Sequence, residues 1–260
     1  MSGRRWIAIL GASSGFGAAT ARAFAQAGHP IFGAHMDRRG TMPQVDALTD
    51  ELRGHGVEVL FHNGNAAAED ERTQALDALQ AQMQEGDTIG VLLHSLAFGT
   101  LRPYIGDSGT LGKRHMDMTL DVMAHSLVYW TQDLVARGLM APGGRVYAMT
   151  SSGSLAAWKS YGAVSAAKSA LESHIRQLAV ELAPHGITAN AIMAGVTQTP
   201  ALAKIPGADD IAATATARNP HGRLTTPEDI AQCLLALSGP GTAWMTGNVI
   251  RVDGGETISA

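Results

Sequence analysis

The chain has 260 residues, of which 45% are hydrophobic and 16% charged, and its formal net charge is −4 at pH 7. A soluble domain averages about 25% charged residues, so this chain is poor in charge, and we expect another subunit to cover part of its surface. The composition excludes a disordered chain, and 19 basic against 23 acidic residues leave no basic excess for binding nucleic acid.

The sequence also lacks the features of a membrane or secreted protein. No apolar run reaches the roughly 18 residues that span a bilayer. The apolar run that begins at Trp6 is shorter than a signal-peptide core of about 7–15 residues. The lone cysteine, Cys233, allows no internal disulfide, which is typical of a reducing compartment. We therefore expect a cytoplasmic globular protein, and the spacing of its histidines predicts no metal site.

Short apolar runs alternate with long Ala-rich stretches along the chain. The predicted strands are 6–10, 30–34, 57–61, 89–94, 145–150, 187–193 and 249–252. The predicted helices are 15–27, 42–54, 68–85, 113–137, 159–183 and 227–237. Alternating strands and helices indicate βαβ units, and continuous apolar strands indicate a parallel sheet covered on both faces. We predict one α/β domain over residues 1–260, a Rossmann-like doubly wound sheet of about seven strands, with a lid at about 197–223.

A glycine-rich turn follows the first predicted strand and opens the first helix. Its sequence is Gly11-Ala12-Ser13-Ser14-Gly15-Phe16-Gly17. Gly11 permits a tight turn, while Gly15 and Gly17 remove side chains where backbone must approach a pyrophosphate or pack against a strand. The helix N-terminus offers free N–H groups to phosphates. The turn lacks the Gly-Lys-Ser/Thr ending of a P-loop. Its predicted nucleotide-binding residues are Gly11, Ser13, Ser14, Gly15, Phe16 and Gly17.

This turn, at this position, resembles that of the short-chain dehydrogenase/reductase family, and the resemblance covers nearly the whole chain. Asn65-Ala66 matches the family's adenine-contacting pair, and Val252-Asp253-Gly254-Gly255 matches its C-terminal signature. Asn190-Ala191-Ile192 and Gly195-Val196-Thr197-Gln198-Thr199 match the segment that contacts nicotinamide and pyrophosphate. The resemblance implies cofactor contacts at Asn65, Ala66, Ser95, Leu96, Ala97, Gly195, Val196, Thr197 and Thr199.

Three residues in the second half of the chain predict a catalytic group. Ser151 closes the fifth strand, Tyr161 lies near the start of a helix, and Lys168 follows seven residues later. Seven steps of about 100° return to within about 20° of the same helix face, so Tyr161 and Lys168 can point into one cleft. A phenol beside an ammonium group suits hydrogen bonding to an oxygen that gains negative charge.

The Tyr-x6-Lys spacing resembles the enoyl-reducing branch of the family rather than its carbonyl reductases. Carbonyl reductases carry Tyr four residues before the lysine, where this chain has Val164. His94-Ser95-Leu96-Ala97-Phe98 looks like the His-Ser-x-x-Phe of enoyl reductases, and Asp121 replaces an asparagine of carbonyl reductases. The resemblance implies hydride addition to a 2-enoyl thioester carried by CoA or acyl carrier protein. Two alternatives stay open: a carbonyl reductase of the same family, and a non-catalytic nucleotide-binding regulatory protein.

The choice of nicotinamide nucleotide depends on residues at the end of the second strand. NADH enzymes commonly place an acid there, where this chain has His35. Asp37 follows, and the guanidinium groups of Arg38 and Arg39 suit a 2′-phosphate. We therefore predict NADPH, bound in part by His35, Arg38 and Arg39, with NADH as the alternative.

Two further expectations concern the last long helix and the acyl pocket. The family commonly pairs this helix with a symmetry mate, so Ala163, Ala166 and Ala170 predict close packing of helices in a homotetramer. Tyr104, Trp158 and Met193 are equally consistent with an acyl pocket and with the core.

Overall fold

The computed structural model describes residues 3–259, which form a seven-stranded parallel sheet in the order β3-β2-β1-β4-β5-β6-β7. The strands are β1 (Arg5–Leu10), β2 (Ile31–His35), β3 (Val59–Asn63), β4 (Thr88–His94), β5 (Arg145–Ser151), β6 (Thr188–Ala194) and β7 (Val249–Val252). β1 lies at the centre, where Ile7 is opposite Ile31 of β2 and Val91 of β4. The predicted doubly wound parallel sheet is confirmed.

Alternate residues of the central strand face two separate layers of helices. Trp6, Ala8 and Leu10 pack into a core lined by the helices at 69–82, 126–136 and 162–182. Ile7 and Ile9 pack on the other face, against the helices at 15–26, 42–53 and 227–237. Every residue of β2 is buried. The sheet is therefore covered on both faces, which explains why its strands are continuous apolar runs.

The helices follow the predicted pattern with two differences. They are α1 (Gly15–Gln26), α2 (Met42–Arg53), α3 (Glu69–Gln82), α4 (Lys113–Leu120), α5 (Ser126–Ala136), α6 (Gly162–Leu182), α7 (Ala208–Arg218) and α8 (Pro227–Leu237). The predicted helical stretch 113–137 is helical from Lys113 to Ala136, but an unforeseen π-helical turn, Asp121–His125, separates α4 from α5. There the Ser126 N–H reaches the Asp121 carbonyl, and the Ser126 hydroxyl donates to the Val122 carbonyl.

The second difference is α7, which lies inside the predicted lid segment 197–223, where we predicted no helix. Its sequence has no apolar stripe, and Ala215 is the one residue of α7 that is buried. A helix without an apolar face leaves no periodic signal in the sequence. In the part of the chain that the structure describes, no helix is both long enough and apolar enough to cross a membrane.

Candidate active site

The carboxyl ends of all seven strands lie along one edge of the sheet, because the strands are parallel. The strand order reverses between β1 and β4, where doubly wound folds bind their ligands. The segments after β1 and β4 meet there, since a Cβ added at Gly11 would lie 2.6 Å from the carbonyl oxygen of Ser95. Most of the predicted site residues follow the ends of strands at this edge.

The glycine-rich turn has the backbone geometry of a phosphate cradle. Gly11 and Gly15 have φ angles of 90° and 52°, which favour glycine. A Cβ at Gly17 would lie 2.0 Å from the Gly11 carbonyl oxygen, so the helix can approach the strand here because residue 17 is glycine. Ser14 makes no side-chain cap bond to α1, and the first turn holds no acidic residue. These features leave the first N–H groups of α1 available to an anion.

The turn faces the loop that follows β6. A Cβ at Gly15 would lie 3.5 Å from the Thr199 methyl, so the turn and the loop are close neighbours here. Thr197 is buried, and its hydroxyl donates to the Gly195 carbonyl. The N–H of Val196 donates to a carboxylate oxygen of Glu256 at 2.9 Å. The structure thus brings the predicted phosphate and nicotinamide segments together, and the free N–H groups of the glycine-rich turn suit the pyrophosphate of a dinucleotide.

An acidic side chain lies beside the turn on the β2 side. His35 is buried, and its Nδ1 lies 3.0 Å from a carboxylate oxygen of Asp37. Burial works to raise the pKa of Asp37, but hydrogen bonds from Ser13, Thr41 and His35 outweigh it and hold that pKa below its usual value. Asp37 is therefore ionised next to the predicted nucleotide site. Sequence reasoning had noted Asp37 and left it out of the predicted site.

The two predicted arginines at this edge remain exposed. Arg38 and Arg39 follow Asp37 directly, and both side chains face solvent. The structure therefore places a carboxylate next to the glycine-rich turn and two guanidinium groups outside it. His35 lies behind Asp37, with its ring against Phe61.

The predicted adenine-binding pair lies after β3. The Asn65 side chain accepts a hydrogen bond from the N–H of Ala67, so it shapes the turn. The carbonyl of Ala66 accepts a hydrogen bond from the indole N–H of Trp130 at 2.7 Å. Trp130 thus holds the Ala66 backbone from within the protein, while Asn65 is exposed. After β4, Ser95 and Leu96 are half-buried and Ala97 is exposed.

Ser151 and Tyr161 form one compact group at the end of β5. Tyr161 is the residue immediately before α6. A Cβ at Gly153 would lie 2.5 Å from the Tyr161 ring and 3.1 Å from the Ser151 hydroxyl, so Gly153 allows the phenol and the hydroxyl to approach each other. Burial raises the pKa of Tyr161, and the Ser151 hydroxyl partly opposes that rise. The phenol is therefore a neutral hydrogen-bond donor near neutral pH.

Lys168 reaches the same region from the next turns of α6. Its side chain is buried, and Nζ donates a hydrogen bond to the Met149 carbonyl at 2.6 Å. Burial lowers the pKa of Lys168 to about 8, and the nearby charge of Glu172 opposes that fall. Lys168 remains mostly cationic at pH 7. Sequence reasoning missed Glu172, although its position four residues after Lys168 on one helix was a signal.

A buried histidine from β4 lies near the lysine. Burial and then the charge of Lys168 lower the pKa of His94 to about 3, so its imidazole is neutral. Its Nε2 lies 2.9 Å from the Ser126 hydroxyl, next to the π-helical turn. Val164, at the position where carbonyl reductases carry tyrosine, is buried against Met123 and Ala167. The side chain at position 164 therefore has no proton to donate, which leaves Tyr161 as the phenol of the site.

Exposed aromatic and apolar side chains surround Tyr161. Trp158 packs edge-on against the Tyr161 ring with a centroid separation of 5.7 Å. Tyr104 covers Gly162, since a Cβ there would lie 2.4 Å from the Tyr104 ring. Phe98 is about half exposed. Met193 is buried in the sheet and therefore belongs to the core. Trp158 and Tyr104 thus give Tyr161 partly exposed aromatic neighbours, which suit an acyl group.

Comparison with known proteins finds a matching family and relatives that span nearly the whole chain. The family described as enoyl-(acyl carrier protein) reductase matches residues 11–257. A 1-cyclohexenylcarbonyl-CoA reductase of Streptomyces collinus is 28% identical over 261 residues, covering 99% of this chain and 89% of that protein. A 3-oxoacyl-[acyl-carrier-protein] reductase of Thermotoga maritima is 27% identical over 250 residues, covering 96% of each. The crystal structure of FabI from Candidatus Liberibacter asiaticus superposes with a TM-score of 0.87 at 24% identity, covering 100% of this chain and 97% of that one.

Proposed function

Because the chain belongs to the short-chain dehydrogenase/reductase family, with the family description of an enoyl-(acyl carrier protein) reductase, it is an NAD(P)-dependent oxidoreductase, and we propose that it reduces the C=C bond of a 2-enoyl thioester. The observation that carries the proposal is the position of Tyr161, seven residues before Lys168, with buried Val164 where a carbonyl reductase has its tyrosine. The Ser151–Tyr161 pair and the aromatic neighbours Trp158 and Tyr104 support an acyl substrate.

The residues of the site fit this reaction. When bound, the nicotinamide nucleotide supplies a hydride, which adds to the β-carbon of the thioester. Negative charge then develops on the thioester oxygen, and the neutral Tyr161 phenol, raised in pKa by burial, donates a hydrogen bond to it. Ser151 assists from the strand end. We expect Lys168 to keep the local potential positive and to bind the ribose of the nucleotide. The α-carbon takes its proton from solvent.

The position of Tyr161 distinguishes conjugate reduction from carbonyl reduction. In carbonyl reduction, hydride adds to the carbon that bears the oxygen, and the tyrosine donates to that same group. In conjugate reduction the oxygen lies two bonds farther from the carbon that receives hydride. A phenol placed almost one helical turn earlier than in carbonyl reductases can reach that more distant oxygen.

A ketone reductase is the second candidate function. The 3-oxoacyl-[acyl-carrier-protein] reductase of Thermotoga maritima covers 96% of this chain at 27% identity. Ser151 at the end of β5 also suits a carbonyl oxygen. The two candidates differ in which carbon receives hydride, and substrates with one reactive group distinguish them.

We propose NADPH as the preferred donor, with a narrow margin over NADH. Arg38 and Arg39 are exposed and follow Asp37 directly, and guanidinium groups there suit a 2′-phosphate. The ionised Asp37 lies closer to the turn and repels the same phosphate. Opposing charges of this kind predict a ratio of kcat/KM for the two nucleotides below about tenfold.

The assembly and the carrier are also proposals. The homotetramer is expected to form through α6, but Ala163 is already buried within the chain. The helix surface left for a partner is Ala166, Ala170 and their exposed neighbours Ser169 and Val180. The acyl group is expected to arrive on CoA or on acyl carrier protein. Native mass spectrometry tests the tetramer, and parallel assays with the two carriers identify the thioester.

The test of the reaction is a comparison of crotonyl-CoA with acetoacetyl-CoA by nucleotide oxidation. We expect turnover of crotonyl-CoA, and we expect Tyr161→Phe to lower kcat by about a hundredfold, because it removes the donor to the developing oxyanion. Tyr129→Phe, a change elsewhere on the surface of the fold, is the matched control. Turnover of acetoacetyl-CoA alone would show a ketone reductase. Nucleotide binding without turnover of either substrate would favour a regulatory protein.

A further inference from the structure

A buried carboxylate lies one helical turn beyond the lysine of the site. Glu172 follows Lys168 by four residues on α6, so the two side chains share one face. Their exposed fractions are 9% and 6%. A buried carboxylate is costly unless it is hydrogen-bonded or balanced by a positive charge. Its presence among the apolar residues of α6 therefore needs a compensating role.

Three consecutive residues at the end of β5 reach the charged and polar groups of the site. The Met149 carbonyl accepts a hydrogen bond from Lys168 Nζ at 2.6 Å. The Thr150 hydroxyl donates to Glu172 Oε1 at 2.6 Å. Ser151 then presents its hydroxyl toward Tyr161. The end of β5 thus contacts the Lys168 ammonium and the Glu172 carboxylate and also carries the Ser151 hydroxyl.

The other titratable groups around Lys168 supply no negative charge. His94 on β4 is fully buried, and its low pKa keeps it neutral above pH 4. Tyr161, earlier on α6, is a neutral phenol because burial raises its pKa. On β5, Lys168 meets a backbone carbonyl, which is a dipole without net charge. Glu172 is the neighbouring charge that favours the protonated lysine.

We propose that Glu172 is a positioning residue that keeps Lys168 protonated, and thereby able to bind the nucleotide ribose, at and slightly above neutral pH. The inference rests on the proposed function, because it assigns Glu172 a role through Lys168. Burial alone favours the neutral amine, and the carboxylate held by Thr150 counteracts it. Activity that needs the ammonium is lost as pH rises through the pKa of Lys168. Without the charge of Glu172, that loss occurs at lower pH.

The first test is Glu172→Gln, which keeps the size of the side chain and an acceptor for Thr150 but removes the charge. We expect the pKa of the alkaline limb of the kcat/KM profile to fall by about one pH unit, so that the deficit of the variant grows about sixfold between pH 6.5 and pH 8.5. Glu172→Asp keeps the charge and should return the limb toward its original position. Glu181→Gln, an exposed carboxylate on the same helix, is the matched control and should leave the profile unchanged.

A second measurement reads the charge of the lysine without turnover. In protein labelled with ¹³C at the lysine ε-carbons, the Lys168 signal is identified by its loss in Lys168→Met. We expect it to titrate near pH 8 in the wild type and about one unit lower in Glu172→Gln. An unmoved titration, or a loss of kcat/KM that is equal at every pH, overturns the inference. Absence of nucleotide binding by the wild type overturns the proposed function, and this inference with it.

Discussion

Asp37 and Arg38 are neighbours in the chain, yet their charges act in opposite directions on a bound nucleotide. The Asp37 carboxylate is held by Ser13 and His35 beside the glycine-rich turn, and Arg38 extends into solvent. Sequence reasoning favoured NADPH from the arginines, because it had no means of placing Asp37. The side chain of Asp37 is held in part by Ser13, which belongs to the distant glycine-rich turn, and local sequence patterns do not contain that contact.

Asp37→Ser is expected to raise kcat/KM with NADPH relative to NADH by about tenfold, or about 1.4 kcal/mol. The substitution removes the negative charge that lies beside the turn and opposes a 2′-phosphate. Steady-state kinetics with both nucleotides give the ratio. Asp46→Ser removes an exposed carboxylate from α2 and serves as the control. A ratio that stays the same in Asp37→Ser would show that Asp37 lies outside the nucleotide site.

At the scale of elements, the sequence predicted the strands to within two residues and missed what depends on tertiary contacts. Apolar runs are sufficient to locate buried strands, because burial on both faces excludes polar residues. The π-helical turn is stabilised by a hydrogen bond of Ser126 across the helix and by contact with His94, which comes from a distant strand. Glu256 lies beyond β7, and its contact with Val196 spans 60 residues of sequence.

The segment after β7 holds the loop that follows β6. Glu256 accepts the N–H of Val196, and the Asp253 carbonyl accepts a hydrogen bond from Asn219 at the end of α7. Glu256 is buried, and burial raises its pKa. The segment therefore connects the predicted nicotinamide loop to the base of α7.

Glu256→Ala is expected to weaken binding of the whole nicotinamide nucleotide by about tenfold, because an unpaired Val196 N–H costs about 1–3 kcal/mol and loosens the loop. Binding of ADP-ribose, which lacks the nicotinamide, should change much less. Both affinities are measured by isothermal titration calorimetry.

Glu256→Gln is the matched control for this substitution, since its amide oxygen can accept the same hydrogen bond. It should bind the nucleotide nearly as the wild type does. Equal losses for ADP-ribose and the full nucleotide in Glu256→Ala would contradict a specific role in the nicotinamide loop.

At the scale of the whole molecule, a buried neutral histidine makes folding stability depend on pH. His94 has a pKa of about 3 in the folded protein and about 6.5 in an unfolded chain. The unfolded state therefore binds more protons between these values, and stability falls as pH drops below about 6.5. Carboxylates reduce stability only at lower pH, since Asp229, paired with Arg223, has a pKa of about 2. The loss of stability between pH 6.5 and pH 4.5 is therefore due mainly to histidine.

We expect the free energy of unfolding to fall by about 1.4 kcal/mol per pH unit for His94 within this window. Urea unfolding at a series of pH values measures the slope. His94→Gln should reduce the slope even though it lowers the absolute stability. His185→Gln removes an exposed histidine and should leave the slope unchanged. An identical slope in His94→Gln and the wild type would show that another group controls the acid response.

The parallel sheet also determines when the site can form during synthesis. One edge of β1 stays unpaired until β4 has been synthesised, and β7 is the last strand to be added. The site needs the glycine-rich turn at residue 11 and the anchor at Glu256, so every residue up to Glu256 must leave the ribosome before the site is complete. Contacts this distant in sequence give a high contact order, for which folding is slow. A nascent chain that stops between β7 and Glu256 would hold all seven strands and an unfinished nicotinamide loop.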